Sequence, residues 1–503
     1  MKVICTKTDI YSFPSTLSPE ESGETITIGD LHGNAMKLIY FLFRHGVIAF
    51  KNSVENPAKA YEAFVNAYEI AGEISESHVN CDLTIWNCDQ EIKRHTNTMV
   101  RYDELSAKAD RTAAEETELS RLHPRQWLQE ARIKRNVAKE IDANYRSKLP
   151  DVLAATHLFL RQLQVQRRNT RVRLIGDELA DRGSNDWMTL LLLQYLTRER
   201  VEVVILISNH SQEFVSALES YATKNKFEAK NDVIKKQKTS FVGLKLLLDE
   251  KLVTMKEVMQ LVNLYYQSML RIMDYSLHPE GIRIYTHAPI SLEVVRHVAR
   301  VMRVRYDDST REALAMVIDK INIRFARRVR EYASDKCCDT SQITLLASMN
   351  EEEVRAFPLA NVIWNRWTDK HDIESARPNM VNGYQVNYVH GHDTHQSRFA
   401  HVTNLDTACG KGSRAKRRKD AKDALQILAD PGSNERLKLS AQNFLDNHCV
   451  FKVACSSERA LPNRHHKISN IEEEFRRAEK KKQKGKAKKK NLIETFVDKF
   501  KNI

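Results

Sequence analysis

Apolar residues recur along this chain with two different periods, and the change from one to the other divides it. Residues 25–28, Thr25-Ile26-Thr27-Ile28, have the β-branched make-up of a short strand. Gly29 breaks it, and Leu38, Ile39, Leu42 and Phe43 then return at helical spacing. From residue 51 to about 167 glycine almost vanishes and the helical period takes over. It shows in Tyr61, Phe64, Val65 and Tyr68 and again in Ile133, Val137, Ile141 and Tyr145, with a reversal near Leu122-His123-Pro124. This pattern predicts a long antiparallel helical hairpin of coiled-coil character. A disordered linker is the alternative, and Trp86, Trp127 and the aliphatic stripe argue against it.

Strand character returns at Arg171 with Val172, Leu174 and Ile175, followed by a turn through residues 176–183 and a leucine-rich helix at 188–196. The unbroken apolar run 201–207 reads as a buried parallel strand. Helices are expected over 211–278 and 291–333, and strands over 282–285, 385–389 and 399–406. Strands alternating with helices define an α/β fold. The predicted organisation is a discontinuous α/β catalytic domain (1–50 and 168–420), the helical hairpin inserted at 51–167, and a helical extension with a basic tail at 421–503.

Charge changes this picture only locally. The 503 residues carry a net charge of +13, but residues 411–419 and 471–503 account for all but one unit of it. A near-neutral body argues against a nuclease or any specific nucleic-acid partner. Residues 476–490 form a basic tract by default solvated, and Leu492, Phe496 and Phe500 follow on one helical face. Together they fit an anionic membrane surface, and equally nuclear targeting or a translocation signal. The eight cysteines include no paired CxxC motif and imply free thiols in a reducing compartment. His448, Cys449, Cys455, His465 and His466 match no common zinc spacing. The first residues contain no apolar signal-peptide core, so a cytosolic protein is expected.

The candidate chemistry sits where the predicted strands end. Asp30 and His32 close the first, Asp177 the second, Asn209 the third, His287 the fourth and His392 the fifth. Strand ends are where open α/β sheets place their sites. Carboxylate with imidazole is a ligand set for Zn, Fe or Mn rather than Ca or Mg.

In this order the motifs resemble the calcineurin-like metallophosphoesterases, and among them the PPP-type phosphoprotein phosphatases. Gly29-Asp30-Leu31-His32-Gly33 is similar to that family's GDxHG, and Gly176-Asp177 with Asp181-Arg182-Gly183 to its GDxxDRG. Ser208-Asn209-His210 resembles the start of GNHE, His287 its next histidine motif, His390-Gly391-His392 its GH motif, and Leu405-Asp406-Thr407 its closing LDT strand. The resemblance spans 20–50 and 170–412. Three features depart from the pattern: an extra residue before Asp181-Arg182, Ser208 and Ser211 in place of Gly and Glu, and the length of the hairpin. These features are most similar to the WipA-type subgroup of bacterial secreted-effector phosphatases.

The resemblance implies a calcineurin-like β-sandwich flanked by helices and two divalent metal ions, Mn ahead of Fe or Zn. It implies that Asp30 and His32 hold one ion, that Asp177 bridges, and that Asn209, His287 and His392 hold the other. His210 would protonate the leaving oxygen, Asp181 would orient it, and Arg182 and Arg366 would bind phosphate. His390 and His395 are expected outside the ligand set. The implied substrate is a phosphoprotein, phosphotyrosine ahead of phosphoserine and phosphothreonine, for an effector delivered from a bacterium into host cytoplasm. Two other readings remain at this point. One is a nucleotide or dinucleoside-polyphosphate hydrolase, and the other a scaffold that binds a protein partner through the hairpin.

Overall fold

The computed structural model describes residues 1–228, 237–334 and 351–461, apart from 369, 371, 394 and 413. The basic tract at 476–490, the apolar face after it, Cys337, Cys338, His465 and His466 lie outside the described residues. No helix among the described residues is long and apolar enough to cross a membrane.

Thirteen strands are described: β1 (Lys2–Lys7), β2 (Thr25–Ile28), β3 (Ile48–Phe50), β4 (Leu163–Val165), β5 (Arg171–Leu174), β6 (Glu202–Leu206), β7 (Leu270–Arg271), β8 (Asp274–His278), β9 (Gly281–Tyr285), β10 (Met380–Val381), β11 (Tyr384–His390), β12 (Val402–Asn404) and β13 (Val450–Ser456). One six-stranded sheet runs β1-β13-β2-β5-β6-β7, and a five-stranded sheet runs β10-β11-β9-β8 with β12 on the other side of β11. Strands β2, β5, β6 and β7 are parallel, so all four point their C-terminal ends the same way. β9, β11 and β12 are likewise parallel to one another. Val204, Leu206 and Ala454 of the first sheet pack in one buried cluster with Tyr285 and Val389 of the second.

A buried ion pair ties the sheets. Arg173 on β5 is fully buried, a position that strand alternation alone does not distinguish from an exposed one. Its Nε donates to Asp274 Oδ2 on β8 (2.6 Å) and its Nη1 to Thr27 Oγ1 (2.9 Å). The guanidinium also lies 3.7 Å from the centroid of the Tyr285 ring. Three partners from three other strands satisfy a charge that would otherwise be costly to desolvate.

The chain beyond residue 420 corrects the expectation of a purely helical extension. Helices Arg414–Ala429 and Glu435–Asn447 are followed by β13, which pairs antiparallel with both β1 and β2. Its alternation is masked because both faces are covered: Val450, Phe451, Val453, Ala454 and Cys455 are all buried. A boundary at 420 therefore cuts through the sheet that carries Asp30.

The hairpin is built from helix Pro57–Ala107, a short helix Ala113–Arg121 in the expected turn, and helix Pro124–Arg146. Its seam differs from the expected one. Ile133, Val137 and Ile141 are 55%, 48% and 44% exposed, while Ala131, Ala138 and Asp142 are buried. Small residues let two long helices approach closely, and Cys81 and Cys88 serve the facing helix in the same way. The first turns of helix Pro57–Ala107 belong to the main core. Phe64 stacks on Phe159 at 4.1 Å, and Tyr61 donates to the Ile10 carbonyl (2.7 Å).

This division generates a prediction. Asp89 and Arg135 form a 2.8 Å ion pair across the hairpin. Deleting residues 90–134 and joining that pair through a short turn should leave a folded protein. Removing 55–165 strips Tyr61, Phe64, Tyr68 and Phe159 from the core, at about 3–5 kcal/mol for each large aromatic lost. Thermal melting followed by circular dichroism should show a cooperative transition for the first deletion and none for the second.

Candidate active site

Three of the strand-end residues hold a backbone conformation that L-residues avoid. His32, Asp177 and His392 have φ of 58°, 53° and 69°. Such strain persists where the surroundings over-determine it, and it concentrates at functional sites. Close packing supplies the constraint. A Cβ on Gly391 would stand 1.9 Å from Asp30 Oδ1, and one on Gly183 would stand 1.6 Å from the Gly33 carbonyl oxygen. The glycines of the motifs are therefore spaces that neighbouring strand ends occupy.

The side chains converge in two groups, Asp30 with His287 and His392, and His32 with Asp177 and Asp181. Asn209 joins the first, its Oδ1 lying 3.0 Å from His287 Nε2. This partition differs from the expected one, which pairs Asp30 with His32 and leaves Asp181 outside. The His392 N–H donates to Asp30 Oδ2 (2.9 Å). His287 donates Nδ1–H to the Ile175 carbonyl (2.9 Å), which leaves Nε2 with its lone pair 3.0 Å from His392 Nδ1. A second hydrogen bond that fixes the tautomer in this way is the usual support of a metal-binding histidine.

Whether these residues fit metal ions can be asked of the atoms themselves. Asp30 Oδ1, Asp177 Oδ1, His392 Nε2 and Asp406 Oδ1 are buried without a hydrogen-bond partner. Buried polar atoms are normally paired. All four are at the strand ends, and all are acceptors when the histidine is neutral. Burial drives His287 down, and burial with the neighbouring His287 and Arg366 drives His392 well down. Both imidazoles are thereby held neutral. Burial, then the charges of Asp406 and Asp177, raise Asp30 well above the usual carboxylate range. Acceptor atoms crowded together with no donor to pair them fit divalent cations.

Asp181 lies between cations. Burial pushes its pKa up, but His210, Arg182 and His32 outweigh burial and hold it well below the usual range. Its Oδ1 accepts from Arg182 Nε (2.7 Å) and lies 3.4 Å from His210 Nε2, while Oδ2 lies 3.3 Å from His32 Nδ1. His210 donates Nδ1–H to the Ala180 carbonyl (2.8 Å), so Nε2 faces Asp181. Arg366 donates to the His392 carbonyl (2.7 Å), and Arg377 covers Trp367, at 4.2 Å. His390 is buried against Arg377, and His395 pairs with Asp372; neither is in the two groups.

Sequence reasoning missed Glu178 and Lys37. Glu178 is fully buried, and burial pushes its carboxyl up to about 7. Ser211 Oγ donates to its Oε2 (2.9 Å) and the Tyr266 hydroxyl to its Oε1. Ser211 Oγ is 2.7 Å from Ser208 Oγ, which accepts the Asp177 N–H (2.9 Å). The second motif thus supplies the carboxylate that the third lacks. The signal was available as two departures read separately. Lys37 is fully buried and donates to the Asp30 carbonyl (2.5 Å), and burial lowers its pKa. Nothing in the helical pattern marks it as special.

The site lies on a mixed α/β fold similar to that of a solved phosphatase domain. Residues 171–411 match the family model described as WipA-like, phosphatase domain. The match begins at β5, so Asp30, His32 and the hairpin lie outside it. The crystal structure of the phosphatase domain from the Legionella effector WipB is similar over 76% of this chain and 100% of that one, with a TM-score of 0.52 and 23% identity. A comparison with curated proteins gave no match.

The relocated carboxylate generates a prediction. Glu178→Ala leaves the Ser211 and Tyr266 hydroxyls without their acceptor and should cost about 1–3 kcal/mol for each. Adding Ser211→Glu should recover part of that loss. Urea unfolding of the wild type, the single and the double variant measures both effects.

Proposed function

We propose that this protein is a two-metal phosphoprotein phosphatase and that it acts as a bacterial effector on host proteins. The observation that carries the reading is the convergence of Asp30, His32, Asp177, Asn209, His287 and His392 from separate strand ends with buried lone pairs unfilled. The WipA-like match and the effector origin of the similar structure support it. These six residues would hold the ions, in a calcineurin-like arrangement with Asp177 between them. When bound, the ions supply a nucleophile at neutral pH and neutralise charge on the phosphoryl group.

The chain's own groups do the rest. Arg182 is held by Asp181 and Arg366 by the His392 carbonyl. Guanidinium groups match phosphoryl oxygens and orient the ester. His210 carries its transferable proton on Nε2, because Nδ1–H is committed to the Ala180 carbonyl. Asp181 stands beside that Nε2, with its Oδ1 at 3.4 Å. Proton delivery to the leaving oxygen then depends on His210.

Phosphotyrosine is the favoured substrate. A phenolate leaves more readily than an alkoxide, so a tyrosine ester depends less on proton delivery. His210 shares Asp181 with Arg182 and His32, which leaves it loosely committed.

Three outcomes follow. Asp177→Asn should nearly abolish phosphopeptide hydrolysis and lower the bound manganese measured by elemental analysis; full turnover in this variant or in metal-stripped protein overturns the two-metal reading. His210→Ala should lower kcat by about 10²–10⁴-fold on a poor leaving group and far less on p-nitrophenyl phosphate. Equal losses would remove His210 from the role of acid. On matched peptides kcat/KM should favour phosphotyrosine, and a tenfold preference for phosphoserine, about 1.4 kcal/mol in barrier, would reverse the assignment of substrate.

A further inference from the structure

We propose that Asp406 is a further metal ligand, standing beside His32 and Asp30; the proposal rests on the two-metal reading above. Three observations carry it. The first is shared atomic character. Of the four unpartnered buried atoms at the strand ends, three belong to residues in the expected ligand set, and the fourth is Asp406 Oδ1. The Asp406 side chain is only 7% exposed.

The second is register. β11 and β12 run parallel with His390 opposite Asn404. Two residues further along each chain come His392 and Asp406, both just past the ends of these neighbouring strands. The third is close approach. A Cβ on Gly29 would stand 2.0 Å from the Leu405 carbonyl oxygen, so the end of β12 is pressed against the end of β2. That contact brings Asp406 beside Asp30 and His32, with its Oδ1 3.3 Å from His32 Nε2.

The turn that presents Asp406 is held without its carboxylate. The Asp406 N–H donates to Asn404 Oδ1 (2.9 Å), and Asn404 Nδ2 donates to the carbonyls of Asp393 (2.9 Å) and His395 (2.8 Å). His32 Nε2 gives its proton to the Thr407 carbonyl at 2.9 Å, which leaves the Asp406 oxygen unpaired. A carboxylate aimed by a rigid turn into a cluster of other carboxylates has a cation as its natural partner. An added oxygen ligand makes this position harder, favouring Mn over softer ions.

The test uses the full chain and manganese. Calorimetry should find two Mn ions on the wild type, and Asp406→Asn should weaken one of them by about tenfold or more. The manganese-induced rise in Tm should shrink in the variant, each protein being read against its own metal-free Tm. A merely structural role would lower the metal-free Tm and leave that rise unchanged. Asp406→Cys loaded with Co(II) should gain a thiolate-to-metal charge-transfer absorption that Co(II)-loaded wild type lacks. Unchanged affinities in Asp406→Asn, or no such band in Asp406→Cys, overturn the proposal and leave the two-metal reading intact. A wild type that binds no manganese overturns both.

Discussion

Negative charge gathered in a place that water cannot reach is the condition on which this architecture depends. Asp30, Asp177, Asp181 and Asp406 are brought together at strand ends, and the nearest fixed cations are Arg182 and Lys37. Lys37 spends its hydrogen bond on a backbone carbonyl, and Arg182 is committed to Asp181. Folding alone therefore leaves Asp30 and Asp177 repelling each other. Packing must sustain that cost, which explains why helix Ala35–Arg44 is buried along nearly its whole length and why Arg173 is locked so thoroughly between the sheets. A rigid surround keeps the lone pairs aimed inward when nothing but geometry opposes their separation.

Much of this was legible in the sequence. Strand ends announce themselves by an apolar run that stops at a glycine, and five of them in order gave the residues that converge. Their partition was not legible. Whether His32 lies nearer Asp30 or nearer Asp181 depends on how strands stack in space, and one-dimensional spacing holds no such information. Glu178 and Ser211 are 33 residues apart, and each looked like an isolated departure until the fold brought them together. β13 was hidden for a different reason, since a strand covered on both faces loses the alternation by which strands are recognised. The hairpin seam failed in the opposite sense. Bulky aliphatics at helical spacing are ordinarily core, but here the contact is made by alanine and cysteine.

The hairpin joins rigidity to the site at one point. Ser75 donates to the Ser184 carbonyl (3.1 Å), and the Tyr68 hydroxyl accepts from the Ser184 N–H (3.2 Å). Ser184 directly follows the Asp181-Arg182-Gly183 turn, which Ser240 also grips through the Asp181 backbone (3.0 Å and 2.9 Å). Movement of the distal helices would reach Arg182 through that contact. A long lever resting on the loop that carries Asp181 and Arg182 is a physical route by which a distant event could shift the candidate site.

Strand β13 has a consequence for how the molecule comes into being. It closes the edge of β2 with residues more than 400 positions later in the chain, Val453 opposite Ile28. Pairings that distant in sequence must overcome a large loop-closure entropy before they gain anything, and they form late. While the chain is being synthesised, the strand leading to Asp30 has one side with no partner. An open edge of that kind invites pairing with other chains. Only when residues near 456 are available does the sheet acquire its last two strands, since β1 joins it through β13, and the segment beyond then crosses to the second sheet, where Glu458 meets Arg283 and Ser276. Assembly of the candidate site is thus timed by the far end of the fold, so that the convergent strand ends are completed all at once rather than motif by motif.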